Sequence, residues 1–209
     1  MCRFFFKEKM TLKERIVSKA GTLFYQYGIK SVSMDDLASS LGISKRTLYE
    51  NFRDKEEVLL TYLAALREER NNKILEVINR SENMIEVFLY FIEYHKNKEL
   101  LSIKFYEDIY KYYPRIYKLI QQDNEENKVH IREYLQKGIE QGYIRENLNV
   151  DVAAFLVEES TYTYIRAAYL KKPPFSFQEL FFTMMVNFIR GISTHKGIQI
   201  IDNYLASKS

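Results

Sequence analysis

The stretch SMDDLASSLGISKRTLYENFRDK, Ser33 to Lys55, constrains this chain more than any other, because its apolar spacing fits two short helices pressed together across a tight turn. Leu37, Ala38 and Leu41 share one helix face, Gly42 interrupts, and Ile43 and Leu48 resume the pattern. Ala38 falls where the helices would cross, and only a small side chain allows that approach. Gly42, just past the first helix, suits the left-handed backbone of a C-terminal cap. Ser44 is placed to cap a second helix running from Lys45 to about Asn51. With Leu48 and Phe52 turned inward at i and i+4, that helix leaves Lys45, Arg46, Thr47 and Tyr49 facing outward. These are donors at the helix end that, in a helix-turn-helix, enters the major groove of DNA.

The flanks support a larger unit. Thr11 to Tyr27 reads as an amphipathic helix with Ile16, Ala20, Leu23, Phe24 and Tyr27 on one side, long enough to close a three-helix unit over the pair. After Phe52, Asp54 is placed to cap a further helix with Glu56 and Glu57 in its first turn, and Lys55 at that start is within reach of a phosphate. Charge is divided in the same way. Residues 1–55 carry eleven Lys and Arg against six Asp and Glu, whereas residues 56–209 carry twenty against twenty-two. A basic head on a slightly acidic body fits a protein that touches phosphate with one part only.

From residue 11 to residue 62 the chain resembles the TetR family of transcriptional regulators. The resemblance rests on Ala20, Leu23 and Phe24, then Tyr27-Gly28, Ser31-Val32-Ser33-Met34, Leu37-Ala38, Leu41-Gly42-Ile43-Ser44, Thr47-Leu48-Tyr49, Phe52, and Lys55-Glu56 followed by Leu59. It implies an all-α fold with a DNA-binding head, residues 10–56, joined to a helical effector-binding and dimerisation body, residues 57–209. It also implies that Ser44, Lys45 and Arg46 lie nearest the bases, while Ser33, Thr47, Tyr49 and Lys55 meet phosphate. Asp35 and Asp36 suit a helix N-terminus but repel DNA, so they are read as partners of the helix dipole, with Ser33 making any contact there.

Composition agrees. The 209 residues are 46% hydrophobic, with only seven Gly and three Pro, which leaves little room for turn-rich β architecture. A single cysteine, Cys2, excludes an intrachain disulfide and a thiolate zinc site, and points to a reducing, cytoplasmic compartment. No uncharged apolar run approaches membrane-spanning length, and the opening Met1–Lys7 is too short in its apolar part for a signal peptide. Residues 1–9 read as a loose extension.

The remainder reads as long helices, for about nine to ten in all: Lys55 to about Asn79, Glu82 to Lys96, Glu99 to Tyr112, Pro114 to Gln141, one capped by Asp151 and running to about Leu170, and Ser176 to Thr194. A break at Lys171–Pro174 and a short tail from Gly197 complete the chain. The last two long helices are apolar on more than one face. Phe155, Tyr162, Phe181, Met184, Met185, Phe188 and Ile192 therefore become candidates for a homodimer contact, which is also where the resemblance places it. Two-fold symmetry then predicts a palindromic operator in double-stranded DNA. Among many body aromatics, Phe91, Tyr106, Tyr110 and Tyr162, with Arg166, are candidates to line a pocket for a small, largely apolar or aromatic effector.

Two other classes stand beside this reading, an all-α enzyme and a helical adaptor that binds protein without DNA. A bundle-held metal pair uses Glu-x-x-His on facing helices. The residues three before His95, His130 and His195 are Ile92, Asn127 and Ile192. Glu126, His130 and Glu133 share a helix face and are explained by charge pairs along a solvated helix. No metal or cofactor is expected, and repression is the family's usual outcome.

Overall fold

The computed structural model describes residues 10–97, 103–157, 159 and 175–208. Among them all regular structure is helical: α1 (Leu12–Tyr27), α2 (Met34–Leu41), α3 (Lys45–Asn51), α4 (Lys55–Arg80), α5 (Met84–Asn97), α6 (Ile103–Tyr112), α7 (Pro114–Glu140), α8 (from 150, described to 157), α9 (Phe177–Ile192) and α10 (His195–Ala206). None of the described helices is long and apolar enough to cross a membrane. The expected extension at residues 1–9, the far end of α8 and the break at Lys171–Pro174 lie outside the described residues.

The chain forms two compact units, Met1–Asn72 with Leu101–Leu119, and Lys73–Leu100 with Ile120–Ser209. The division expected after residue 56 thus falls inside α4. Val58 and Leu59, both fully buried, are core residues that make the start of α4 part of the first unit.

In the first unit Ile16, Ala20 and Phe24 of α1, Leu37 of α2 and Leu48 of α3 are fully buried, and Ala38 and Phe52 nearly so. Tyr27, expected on this face, is instead half exposed, one turn beyond the buried stripe. Thr11 caps α1, with Glu14 closing a capping box. Asp54 caps α4, its Oδ1 accepting the Glu57 N–H at 2.8 Å. A second layer of this unit comes from α6, whose Phe105 ring lies tilted at 5.4 Å from Tyr25 of α1 and edge-on at 6.5 Å from Tyr62 of α4. Gly21 makes room for the Tyr62 ring, which a side chain there would displace.

The second unit has its core in Ile85, Leu89 and Ile92 of α5, Leu135 of α7, Ala153 and Ala154 of α8, Val186 and Ile189 of α9, and Ile201 of α10. Asn83 begins α5, accepting the Glu86 N–H at 3.1 Å. Asn149, not Asp151, begins α8: its carbonyl and side chain accept from Ala153 and Val152, while Asp151 lies inside the helix and pairs with Arg132 at 2.6 Å. Ser176 caps α9 through a capping box with Glu179. What reads in sequence as a tail from Gly197 is the twelve-residue α10, capped by Thr194 and tied to α5 by Tyr204–Glu93 at 2.6 Å and to α9 by Arg190–Asp202.

Gly197 does not break this helix but lets its first turn lie on the chain after α7. There Thr194 donates to the Tyr143 carbonyl at 2.9 Å and Arg145 to that of Ile192 at 3.0 Å. A methyl group on Gly197 would overlap the Tyr143 carbonyl oxygen, a backbone atom without freedom to move alone. Gly197→Ala should therefore destabilise the protein by about 1–3 kcal/mol, as overpacking does. Chemical denaturation checks this, and an unchanged midpoint would show that α10 can shift freely.

Candidate nucleic-acid interface

The interface candidate is built from local rules. Ser33 caps α2, its Oγ accepting the Asp36 N–H at 3.1 Å while Asp36 accepts the Ser33 N–H at 2.8 Å and hydroxyl at 2.6 Å. These bonds from Ser33 hold the Asp36 carboxyl below its ordinary value. Gly42 ends α2 at φ 65°, and the following Ile43 N–H returns to the Ala38 carbonyl at 3.1 Å, satisfying acceptors that the helix end leaves open. Ser44 then caps α3 by accepting from the Thr47 N–H at 3.0 Å, and its hydroxyl lies 2.8 Å from that of Thr47. Leu48 is fully buried and Phe52 nearly so, which fixes how α3 is rolled about its axis.

The opposite side of α3 is solvated. Ser44, Lys45, Arg46 and Tyr49 are exposed, and Thr47 is half-buried at the edge. The Arg46 side chain is 89% exposed and pairs along the helix with Glu50 at 3.0 Å, so its guanidinium can leave for a stronger acceptor at little cost. Lys45 meets Asp35 of α2 at 2.6 Å, and that carboxylate raises the lysine's proton affinity. Asp35 is thus an ion-pair partner across the turn as well as an acid in the first turn of α2.

Lys55 does something the sequence does not show. Its ammonium donates to the carbonyls of Ile29 and Val32 at 2.7 Å each and of Lys30 at 3.4 Å, all in the turn between α1 and α2. Burial pushes this lysine below its ordinary value, against the pull of Asp108 and Asp36. The phosphate contact expected of Lys55 would require it to leave these carbonyls. From the other side, Asp108 of α6 accepts the Lys30 N–H at 2.8 Å, Lys104 reaches the Ser31 hydroxyl at 3.2 Å, and Lys30 reaches the Tyr112 hydroxyl at 2.9 Å. The one sequence signal for Asp108 is a carboxylate set beside the apolar Phe105 and Ile109 of the same short helix.

The body candidates are divided. Phe91 belongs to the second unit, packed beside Val77, Met84 and Val87, whereas Tyr106 and Tyr110 belong to the first. Tyr106 stands edge-on to Phe105, and Tyr110, 66% exposed, stands edge-on to Tyr117 at 5.2 Å. Tyr162 and Arg166 lie outside the described residues. Of the dimer candidates, Phe155 is 54% exposed, beside the exposed Val152 and Leu156, and Met184, Met185 and Phe188 are half-buried. Phe181 and Ile192 are corrected to core residues, because the face of α9 they occupy is buried within the protomer. His130 pairs with Glu133 at 3.2 Å and stacks on Tyr134; no metal-holding group of His, Cys, Asp and Glu is found among the described residues.

Residues 16–62 match the model of the bacterial regulatory proteins of the tetR family. The HTH-type transcriptional repressor KstR2 of Mycobacterium tuberculosis is 21% identical over 157 residues, covering 72% of this chain and 78% of that protein. The biofilm operon icaADBC negative transcriptional regulator IcaR of Staphylococcus aureus is 26% identical over 147 residues, 70% of each chain. Among solved structures, a transcriptional regulator from Saccharomonospora viridis in complex with choline superposes with a TM-score of 0.75 at 19% identity, over 88% of this chain and 98% of that one.

Proposed function

We propose that this chain, whose residues 16–62 match the model of the tetR family of bacterial regulatory proteins, is a homodimeric repressor that binds a palindromic operator and is released by a small, largely apolar or aromatic effector. The observation that carries the reading is the fully buried Leu48, which turns Lys45, Arg46 and Tyr49 of α3 outward together. Ser44, Lys45 and Arg46 are proposed to meet base edges, and Ser33, Thr47 and Tyr49 to meet phosphate. An effector that binds better to a body holding the two heads at another spacing lowers DNA affinity by that difference in binding free energy. Helix α4 contributes residues to both compact units and is proposed as the lever.

The test is an electrophoretic shift with duplexes enriched from a random pool. A specific complex that weakens steeply as salt rises supports the reading, since phosphate contacts release counterions. A protein that enriches no sequence removes it. Arg46→Ala should cost about 1–3 kcal/mol on the selected duplex and relax discrimination at one base position, if the fork of the guanidinium reads guanine. Equal losses on selected and random duplexes would make Arg46 a phosphate contact instead.

A further inference from the structure

The turn between α1 and α2 is gripped from two directions. Ile29 and Val32 bury its apolar side. On its polar side, the Lys55 ammonium takes the carbonyls of Ile29 and Val32, and the Asp108 carboxylate, only 6% exposed, takes the Lys30 N–H at 2.8 Å. Gly28 opens the approach. Its φ is +84°, and a methyl group there would stand 2.9 Å from Asp108 Oδ2 and 2.8 Å from Lys104 Cδ, so the residue serves the backbone and the neighbouring helix together. Immediately after the turn comes Ser33, the cap of α2.

We propose that Asp108 is a positioning residue for DNA binding: its carboxylate holds the turn at 28–32, and through it the start of α2, in the attitude from which Ser33 and α3 meet a duplex. This rests on the reading of α2 and α3 as the DNA interface. Asp108 touches no DNA itself. A carboxylate near the backbone of DNA would only repel it, and Asp108 is instead spent on a peptide N–H. Without that bond the Lys30 N–H loses its acceptor, and the turn is held on its polar side only through side-chain ammonium groups, those of Lys55, of Lys104 and of Lys30 itself on Tyr112. A helix that reads bases needs a fixed approach, whereas loose electrostatic association does not, so the loss should fall on specific binding.

The experiment uses the full chain. A duplex enriched by the wild type from a random pool, and a duplex of unrelated sequence, are titrated by fluorescence anisotropy at a temperature where circular dichroism shows every variant folded. Asp108→Ala should weaken the selected duplex about tenfold while the unrelated duplex stays within about threefold. Asp108→Asn keeps an acceptor oxygen opposite the Lys30 N–H and should recover most of the loss. Gly28→Ala, which displaces the carboxylate, should reproduce the alanine variant, and it decides alone if Asp108→Ala does not fold. A folded Asp108→Ala or Gly28→Ala that binds the selected duplex within twofold of wild type overturns the proposal, as does an equal loss on both duplexes. A wild type that enriches nothing overturns the DNA-binding reading itself, an outcome visible before any variant is made.

Discussion

Phe52→Ala will destabilise the first compact unit by about 3–5 kcal/mol and remove DNA binding with it. Phe52 is 2% exposed and ends α3, its N–H returning to the Leu48 carbonyl at 3.0 Å. The Lys13 ammonium lies 5.5 Å from the ring centre, so the aromatic also ties α1 to the end of α3. Emptying this position leaves a cavity beneath the helix that carries Lys45 and Arg46. Urea denaturation followed by circular dichroism gives the stability loss, and a titration with the selected duplex gives the functional one. A loss below 1 kcal/mol would mean that the head repacks around the gap and that Phe52 does not fix α3.

Phe155→Arg comes next in expected size, and it acts on assembly, not on folding. The side chain is 54% exposed on α8, between the similarly exposed Val152 and Leu156, so the substitution should leave the protomer core intact. In a two-fold contact it would bring two positive charges and their unpaired guanidinium groups into one apolar seam. Sedimentation at micromolar concentration should then show a monomer. Affinity for a palindromic duplex should fall roughly 10²-fold or more, because two half-sites are no longer engaged by linked heads. A variant that still sediments as a dimer would move the contact away from this face.

Much of the head was legible in sequence because its signals are local. Gly42 and Ser44 mark helix ends through bonds that reach three to five residues, and the buried faces of α1 and α2 follow the helical period. Capping also marks α9, where Ser176 and Glu179 close a box. Two neighbouring polar residues misled at α8, since Asn149 and Asp151 are both good caps and only the backbone shows which is used. Gly197 misled for another reason, because a glycine that permits close contact reads in sequence like one that ends a helix. The role of Lys55 was out of reach. Its acceptors are backbone carbonyls 23 to 26 residues earlier, and nothing in the composition of a turn announces that its carbonyls are waiting for a lysine. Phe181 and Ile192 show the limit of periodicity on a helix apolar all round, where pattern cannot tell an inner face from one left for a partner.

The bond between Lys30 and Asp108 joins residues 78 positions apart. During synthesis at about 5–20 residues per second, roughly 4–16 seconds separate the appearance of the two. For that interval the nascent chain carries α1 to α3 without the helix that completes their unit. A head cut from this chain at residue 56, or fused there to another body, stays permanently in that unfinished condition. Grafting its DNA specificity onto a new sensor therefore calls for a junction that carries α6 along with α1 to α4.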